Sequence, residues 1–240
     1  MKYVLLLFVF LVFLSCNCSK KATKNDTHKQ TTLVEENNTN KNELIVELNN
    51  PNQINDSKEL IKNSGLVWDK LLVDNDAAKV AVIKVPLDKK DFWQQRLQQS
   101  GMFKLVEPNK KSTIKKIQSE IENTLVFYKK NPCFGPCPVY EMRVYNSGKV
   151  LYHGLQHVLV SGKKEFKLTK EQFSTLKEKL AHTSFSTYKK QYRDSRLMDA
   201  SSVYISYNKK QIEISAWQNV PNELVEVINY LNSILIEKNL

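Results

Sequence analysis

The chain is poor in the residues that build special scaffolds. Four cysteines in 240 residues are far too few for a fold held up by disulfides. Six glycines and seven prolines exclude collagen-like and proline-rich architectures. Beyond Leu14 no stretch approaches the roughly 18 consecutive apolar residues of a membrane-spanning helix. What is present is ordinary globular material: 41% apolar and 25% charged residues, which excludes a wholly disordered chain and fits one or two domains. The net charge of +11 is unevenly placed. Residues 41–109 hold ten basic and ten acidic side chains, so the excess lies mostly from residue 110 onward.

Lys2 and the apolar run Tyr3–Leu14 read as the n- and h-regions of a secretory signal. The run is too short to span a bilayer. Leu14-Ser15-Cys16 follows, with no Ala-x-Ala site. A small residue and then Cys at the end of an h-region resembles the bacterial lipobox. That resemblance implies a signal peptide over 1–15 and lipidation, including palmitate, at Cys16. Asn17, being other than Asp, then implies an outer-membrane lipoprotein of the bacterial envelope. The tract that follows is rich in Asn, Thr, Lys and Gln and cannot bury a core. Residues 16–42 are therefore expected to be a flexible tether reaching about 25–30 Å.

Residues 43–109 read as a βαββαβ unit. Strands are expected at Leu44–Leu48, from Leu66, at Val80–Val85 and at Phe103–Val106. One helix carries Leu60 and Ile61, capped by Asn55 or Asp56 and ended by Gly65. The other carries Trp93 and Leu97, capped by Asp88 and ended by Gly101. This order is the ferredoxin-like split motif. The segments ELIVEL, VAVIKVP and KLVEPN resemble the subtilisin propeptide family, in particular the fervidolysin-type prodomain. The resemblance implies a protease inhibitor or chaperone whose C-terminal tail enters the protease site. Here that tail would be Val106, Glu107, Pro108 and Asn109. No protease domain follows, because the rest of the chain lacks a subtilase serine elbow.

Residues 110–119 (KKSTIKKIQS) are expected to be a basic linker, and residues 120–237 a second α+β domain. Strands are expected at Thr124–Tyr128, Val139–Tyr145, Lys149–Tyr152 and Val158–Val160. Thr169 and Gln172 form a capping box for a helix with Phe173, Leu176 and Leu180 on one side. Val203, Ile205 and Tyr207 share a strand face, as do Ile212, Ile214 and Ala216. Pro221 opens a last helix with Leu224, Val227, Ile228, Leu231 and Leu235 in one stripe. The expected architecture is a mostly antiparallel sheet with two helices.

Within it, Cys133-Phe134-Gly135-Pro136-Cys137-Pro138-Val139-Tyr140 is the most distinctive passage. It resembles a bacterial domain family of unknown function with a Cys-Phe-Gly-x-Cys-Pro-x-Tyr signature. Gly148, Tyr152-His153-Gly154, Phe185-Ser186, Asp199 and Ser201-Ser202 continue the resemblance. It implies no activity. Read from the residues, the cysteine pair allows a disulfide, a redox-active dithiol or part of a metal site. Pro and Gly bend the chain enough for the sulfurs to meet, and the bridge would be worth about 2 kcal/mol. The spacing is not Cys-x-x-Cys, and no thioredoxin-like unit surrounds it.

His153 and His157 would lie about 13 Å apart on an extended strand, too far to share one ion unless the chain folds back at Gly154. Catalysis by a cysteine with His153 and Asp199 would need a free thiol. Tyr188–Arg196 is a basic, aromatic loop whose cations are Lys189, Lys190, Arg193 and Arg196. Outside the cytoplasm its expected contact is solvent, an anionic envelope polymer or a lipid headgroup, not nucleic acid. The sequence thus points to a lipid-anchored, non-enzymatic binding or scaffold module without cofactor or metal. A protease-inhibitor role, and thiol-redox chemistry at Cys133 and Cys137, stand as alternatives. The expected partners are the membrane, through the lipid, and an envelope protein or protease.

Overall fold

The computed structural model describes residues 41–196 and 201–240. The signal segment, Cys16, all but the end of the tether, and Asp199 lie outside them. Among the described residues the fold is α+β, with two sheets and five α-helices. The first sheet has β1 (Glu43–Leu48), β2 (Val67–Asp74), β3 (Lys79–Lys84) and β4 (Phe103–Pro108) in the spatial order β2-β3-β1-β4. Every neighbour in it is antiparallel. Two helices, α1 (Ile54–Asn63) and α2 (Lys90–Gln99), alternate with the strands. Gly65 and Gly101, both at φ 71°, end them in the left-handed region that glycine adopts at no cost. The helix starts differ from expectation. Asn50 caps a short 3-10 turn at Pro51–Gln53, accepting from the Asn52 N–H, and that turn runs on into α1. Asn55 and Asp56 therefore sit inside the first helical turns. Asp88 likewise lies in a 3-10 turn ahead of α2.

β1 is buried along its whole length. Leu44, Val46 and Leu48 point to one side, where they cluster with Ile61 of α1 and Leu97 of α2. Ile45 points to the other side, where it meets Ile117. Ile117 belongs to the segment expected to be a linker. That segment is instead the start of α3 (Lys111–Asn123). Ile114, Ile117 and Ile121 recur at helical spacing and close over Ile45, Val80 and Leu105. Burial of that stripe on the back of the sheet is the physical reason it folds; the lysines between the isoleucines face solvent.

The second sheet has seven strands. They are β5 (Thr124–Lys130), β6 (Val139–Tyr145), β7 (Lys149–Gln156), β8 (Gly162–Lys167), β9 (Gln191–Tyr192), β10 (Val203–Tyr207) and β11 (Lys210–Ile214). Their order is β8-β7-β6-β5-β10-β11-β9, and all pairs are antiparallel except β9 with β11. Val158–Val160 is not a strand. The chain turns at His157, which has φ 51°, and pairing resumes at Gly162 with a charged strand, GKKEFK. Asn208 and Lys209, both at positive φ, make the tight turn between β10 and β11.

On one face Val126, Met142, Val150, Ile205 and Ile212 pack under α4 (Lys170–His182) and α5 (Asn222–Glu237). The capping box of α4 is closed, with the Gln172 N–H donating to Thr169 Oγ and the Thr169 N–H to Gln172 Oε1, both at 3.0 Å. On α5 the expected stripe is buried and includes Ile234. The other face meets the first sheet's turns. The Ala77 N–H donates to the Lys209 carbonyl at 3.1 Å. Lys129 Nζ donates to Asn49 Oδ1 at 2.6 Å, and Lys190 pairs with Asp76 at 2.8 Å. The described residues belong to one compact unit.

Candidate functional site

β5 ends at Lys130 and β6 begins at Val139, so the distinctive motif is the loop between them. Cys133 and Cys137 are joined as a disulfide, their Cα atoms 5.7 Å apart. Gly135 sits at φ 141°, where a side chain would be strained. It donates to the Cys133 carbonyl at 3.0 Å and accepts from the Cys137 N–H at 2.9 Å. The loop's base is tied to the segment that leads into β10. Asn131 donates its backbone N–H to the Ser202 carbonyl, and Ser201 Oγ donates to the Asn131 carbonyl, both at 2.8 Å. Ser201 and Ser202 of the sequence motif therefore fix the stapled loop. At its tip Phe134 is 92% exposed.

Strand alternation places a pocket on each side of this loop. Lys130, Pro138 and Tyr140 face the helix side and line an aromatic pocket of about 380 Å³. Tyr128, Tyr140 and Tyr152 pack beside it, the first pair edge-on and the second tilted, with ring centroids 5.9 and 5.8 Å apart. The Tyr128 and Tyr140 hydroxyls both donate to Asn232 Oδ1, at 3.1 and 3.0 Å. The Tyr152 hydroxyl is buried with no hydrogen-bond partner. Burial holds all three phenols above their ordinary pKa, Tyr140 furthest, because the neighbouring Tyr128 adds to it. Gly154 is explained here. The turn after β7 folds back over it, and a Cβ would lie 2.1 Å from the Val160 carbonyl oxygen.

Lys129, Asn131 and Val139 face the opposite side and line a polar cleft of about 610 Å³. Its floor is a cross-strand row in which Lys129 lies opposite both Tyr204 and Glu141, and Tyr204 also lies opposite Glu213. Lys129 reaches Glu141 at 3.5 Å, and burial lowers its pKa against that attraction. Arg193 donates from Nε and Nη2 to Glu213 Oε1 at 3.1 and 2.5 Å. Glu213 is 3% exposed, and its Oε2 has no partner. Burial, and then the Glu213 charge, push the Tyr204 phenol up to about 12. The wall across from this floor is the β1–α1 connection, with Asn49, Asn50, Asn52 and Gln53.

The other expected site residues fall into place unevenly. Val106, Glu107 and Pro108 are part of β4, paired with β1. Asn109 donates its backbone N–H to the Glu43 carbonyl at 3.2 Å and its side chain to Glu43 Oε2 at 2.6 Å. With α3 starting at Lys111, the chain here is tied to its own sheet and not extended beyond it. In the basic loop, Lys190 is held by Asp76, Arg193 by Glu213 and Arg196 by Asp194; Lys189 is exposed. The loop is therefore largely neutralised. His153 lies on β7 opposite Glu141 and Lys163, and His157 lines the aromatic pocket. Among the described residues no group of three His, Cys, Asp or Glu gathers as a metal site, and no helix is long and apolar enough to cross a membrane.

Sequence reasoning missed the polar cleft. Its residues come from separate stretches between Asn49 and Gln211, and scattered carboxamides leave no periodic signal. The runs Asn49-Asn50 and Asn52-Gln53 were the available hint.

Residues 124–235 match the family described as a domain of unknown function (DUF6438). The part of the chain that carries the stapled loop and the seven-stranded sheet is thus similar to that family, as the motif around Cys133–Tyr140 implied. No curated protein matches the chain.

Proposed function

We propose that this is a lipid-anchored protein of a bacterial envelope, attached to the outer membrane through Cys16, and that it works as a non-enzymatic binding module. Its contact point is the stapled loop. The observation that carries this reading is Phe134, 92% exposed on a loop closed by the Cys133–Cys137 bridge and tied down at Asn131. A phenyl ring left in water forgoes about 1.5–3 kcal/mol of burial. A rigid exposed aromatic is also the kind of residue that anchors interfaces. The paired sulfurs supply no thiolate, so a thiol-redox role would have to begin with reduction of the bridge.

The test is a photo-crosslinking phenylalanine analogue at position 134 in intact cells, with position 62 on the exposed side of α1 as control. A discrete adduct specific to position 134 is expected. The same pattern at both positions overturns the binding role. Incorporation of a palmitate analogue, abolished in Cys16→Ser, checks the anchor.

We further read the first sheet as ferredoxin-like, on the strength of its βαββαβ chain order and its β4-β1-β3-β2 spatial order. That reading favours protease inhibition as the second function. Against it stands the tethering of Asn109 to Glu43. Inhibition assays of the chain on a panel of subtilisin-type proteases decide the matter, and saturable inhibition would bring the second reading to the front.

A further inference from the structure

We propose that the polar cleft between the β1–α1 connection and the open face of the seven-stranded sheet binds a short neutral saccharide. The proposal depends on neither the lipid nor Phe134, so its failure would leave the preceding reading standing.

The volume, about 610 Å³, lies within the roughly 300–1,000 Å³ of small-molecule sites. The chemistry of the lining is narrower than its size. Asn52, Gln53, Asn131 and Gln191 line the cleft, and their side-chain amides make no hydrogen bond within the described residues. Each carboxamide offers two N–H donors and one acceptor oxygen. Sugar hydroxyls, which donate and accept at once, are the ligand groups that use both.

The cations of the lining are already spent, and its other charged group is the exposed carboxylate of Asp56. Lys129 is shared by Glu141 and Asn49, and Arg193 is doubly bonded to Glu213. An anionic ligand would have to compete with these partners, whereas a neutral one need not. Val139, Leu155 and Pro132 add apolar surface for the C–H side of a sugar ring. A peptide strand is the less suitable guest. It docks on a free sheet edge, whereas the floor here is the face of strands already paired on both sides, β5 and β10 among them. The walls are preformed as well. Asn49 is bonded to Lys129, and Asn50 Oδ1 accepts from Gln211 Nε2 at 3.3 Å, so ordering costs on binding are small.

The experiment uses the full chain, in a detergent without a sugar headgroup, with side-chain carboxamides followed by 1H–15N NMR. The probes are chitotriose, maltotriose and cellotriose up to about 10 mM, a range that captures even weak binding. A trigalacturonate and an uncharged tetrapeptide serve as the two other guests. Saturable shifts of the Asn52, Asn131 and Gln191 amides with at least one neutral trisaccharide are expected. Gln191→Ala, and separately Asn131→Ala, should each weaken that binding about tenfold without altering the remaining spectrum. The proposal is overturned if none of the three trisaccharides shifts these amides, if only the anionic or peptide probe does, or if saturable shifts map to the Tyr140 pocket instead.

Discussion

The two faces of the seven-stranded sheet are made by the same strands, residue by alternate residue, and they have opposite characters. The face under α4 and α5 is built from Val126, Met142, Val150, Ile205 and Ile212, all 0% exposed. The face toward the first sheet is built from Lys129, Glu141, Tyr204, Gln211 and Glu213. Three of these, Tyr204, Gln211 and Glu213, are buried as deeply as many core residues. The apolar face is closed by packing. The polar face is closed by individual hydrogen bonds from turns, which leave a cleft where they stop. If the cleft takes the proposed saccharide, stability and recognition are divided between the two sides of one sheet, and the stapled loop stands where the two sides meet.

The contrast can be broken at its strongest point first. Leu231→Ala removes a fully buried side chain of α5 from its packing on the apolar face and should cost about 2–5 kcal/mol, read as a lower urea midpoint. Leu155→Ala, on the polar cleft and 42% exposed, should stay within about 0.5 kcal/mol. Equal losses would mean that the polar face is as tightly packed as the other.

Gly154→Ala comes next. Its new methyl would meet the Val160 carbonyl oxygen and the Tyr152 hydroxyl, so the covering turn must move, at a cost of about 1–3 kcal/mol. Loss of the Val160 contact should appear as faster amide exchange in residues 157–161.

On the polar face, Arg193→Ala strands the Glu213 carboxylate, which is 3% exposed, and should cost about 1–3 kcal/mol. In a Glu213→Gln background the same substitution should cost markedly less, because no charge is left stranded. An unchanged cost in that background would show that Arg193 acts through packing alone.

The faces were legible in the sequence to different degrees, for a physical reason. Apolar alternation marks whatever packs against a helix, so Val203, Ile205, Ile212 and the α5 stripe could be placed before the fold was known. The capping box at Thr169 and Gln172 could be placed too, because its partners are three residues apart. Helix α3 escaped because its isoleucines are set among lysines and its burial comes from a sheet far earlier in the chain. Strand β8 escaped because GKKEFK has little apolar content; its place comes from pairing with β7 at the sheet's edge. The polar cleft was least legible. Asn49 and Gln211 have no reason to be associated until two turns bring their segments together.

Titration supplies the finest comparison, since each face holds a buried phenol. Tyr140 on the apolar face is pushed well above its ordinary value by burial and by Tyr128. Tyr204 on the polar face is pushed up to about 12, by burial and by Glu213. In both cases the folded state favours the neutral phenol, and the unfolded chain ionises first, near pH 10.0. The stabilisation is complete below that value. As pH rises from there toward about 12, only the unfolded state loses protons from Tyr204, and stability falls. Tyr204→Phe should therefore flatten the alkaline fall while changing neutral-pH stability little. Tyr140→Phe should instead cost about 1 kcal/mol already at neutral pH, by deleting the bond to Asn232. Urea midpoints measured across the alkaline range, with tyrosinate absorbance as the second signal, separate the two. A Tyr204→Phe curve parallel to that of the native protein would mean that this phenol is solvated, and that the polar face is more open than Tyr204's burial implies.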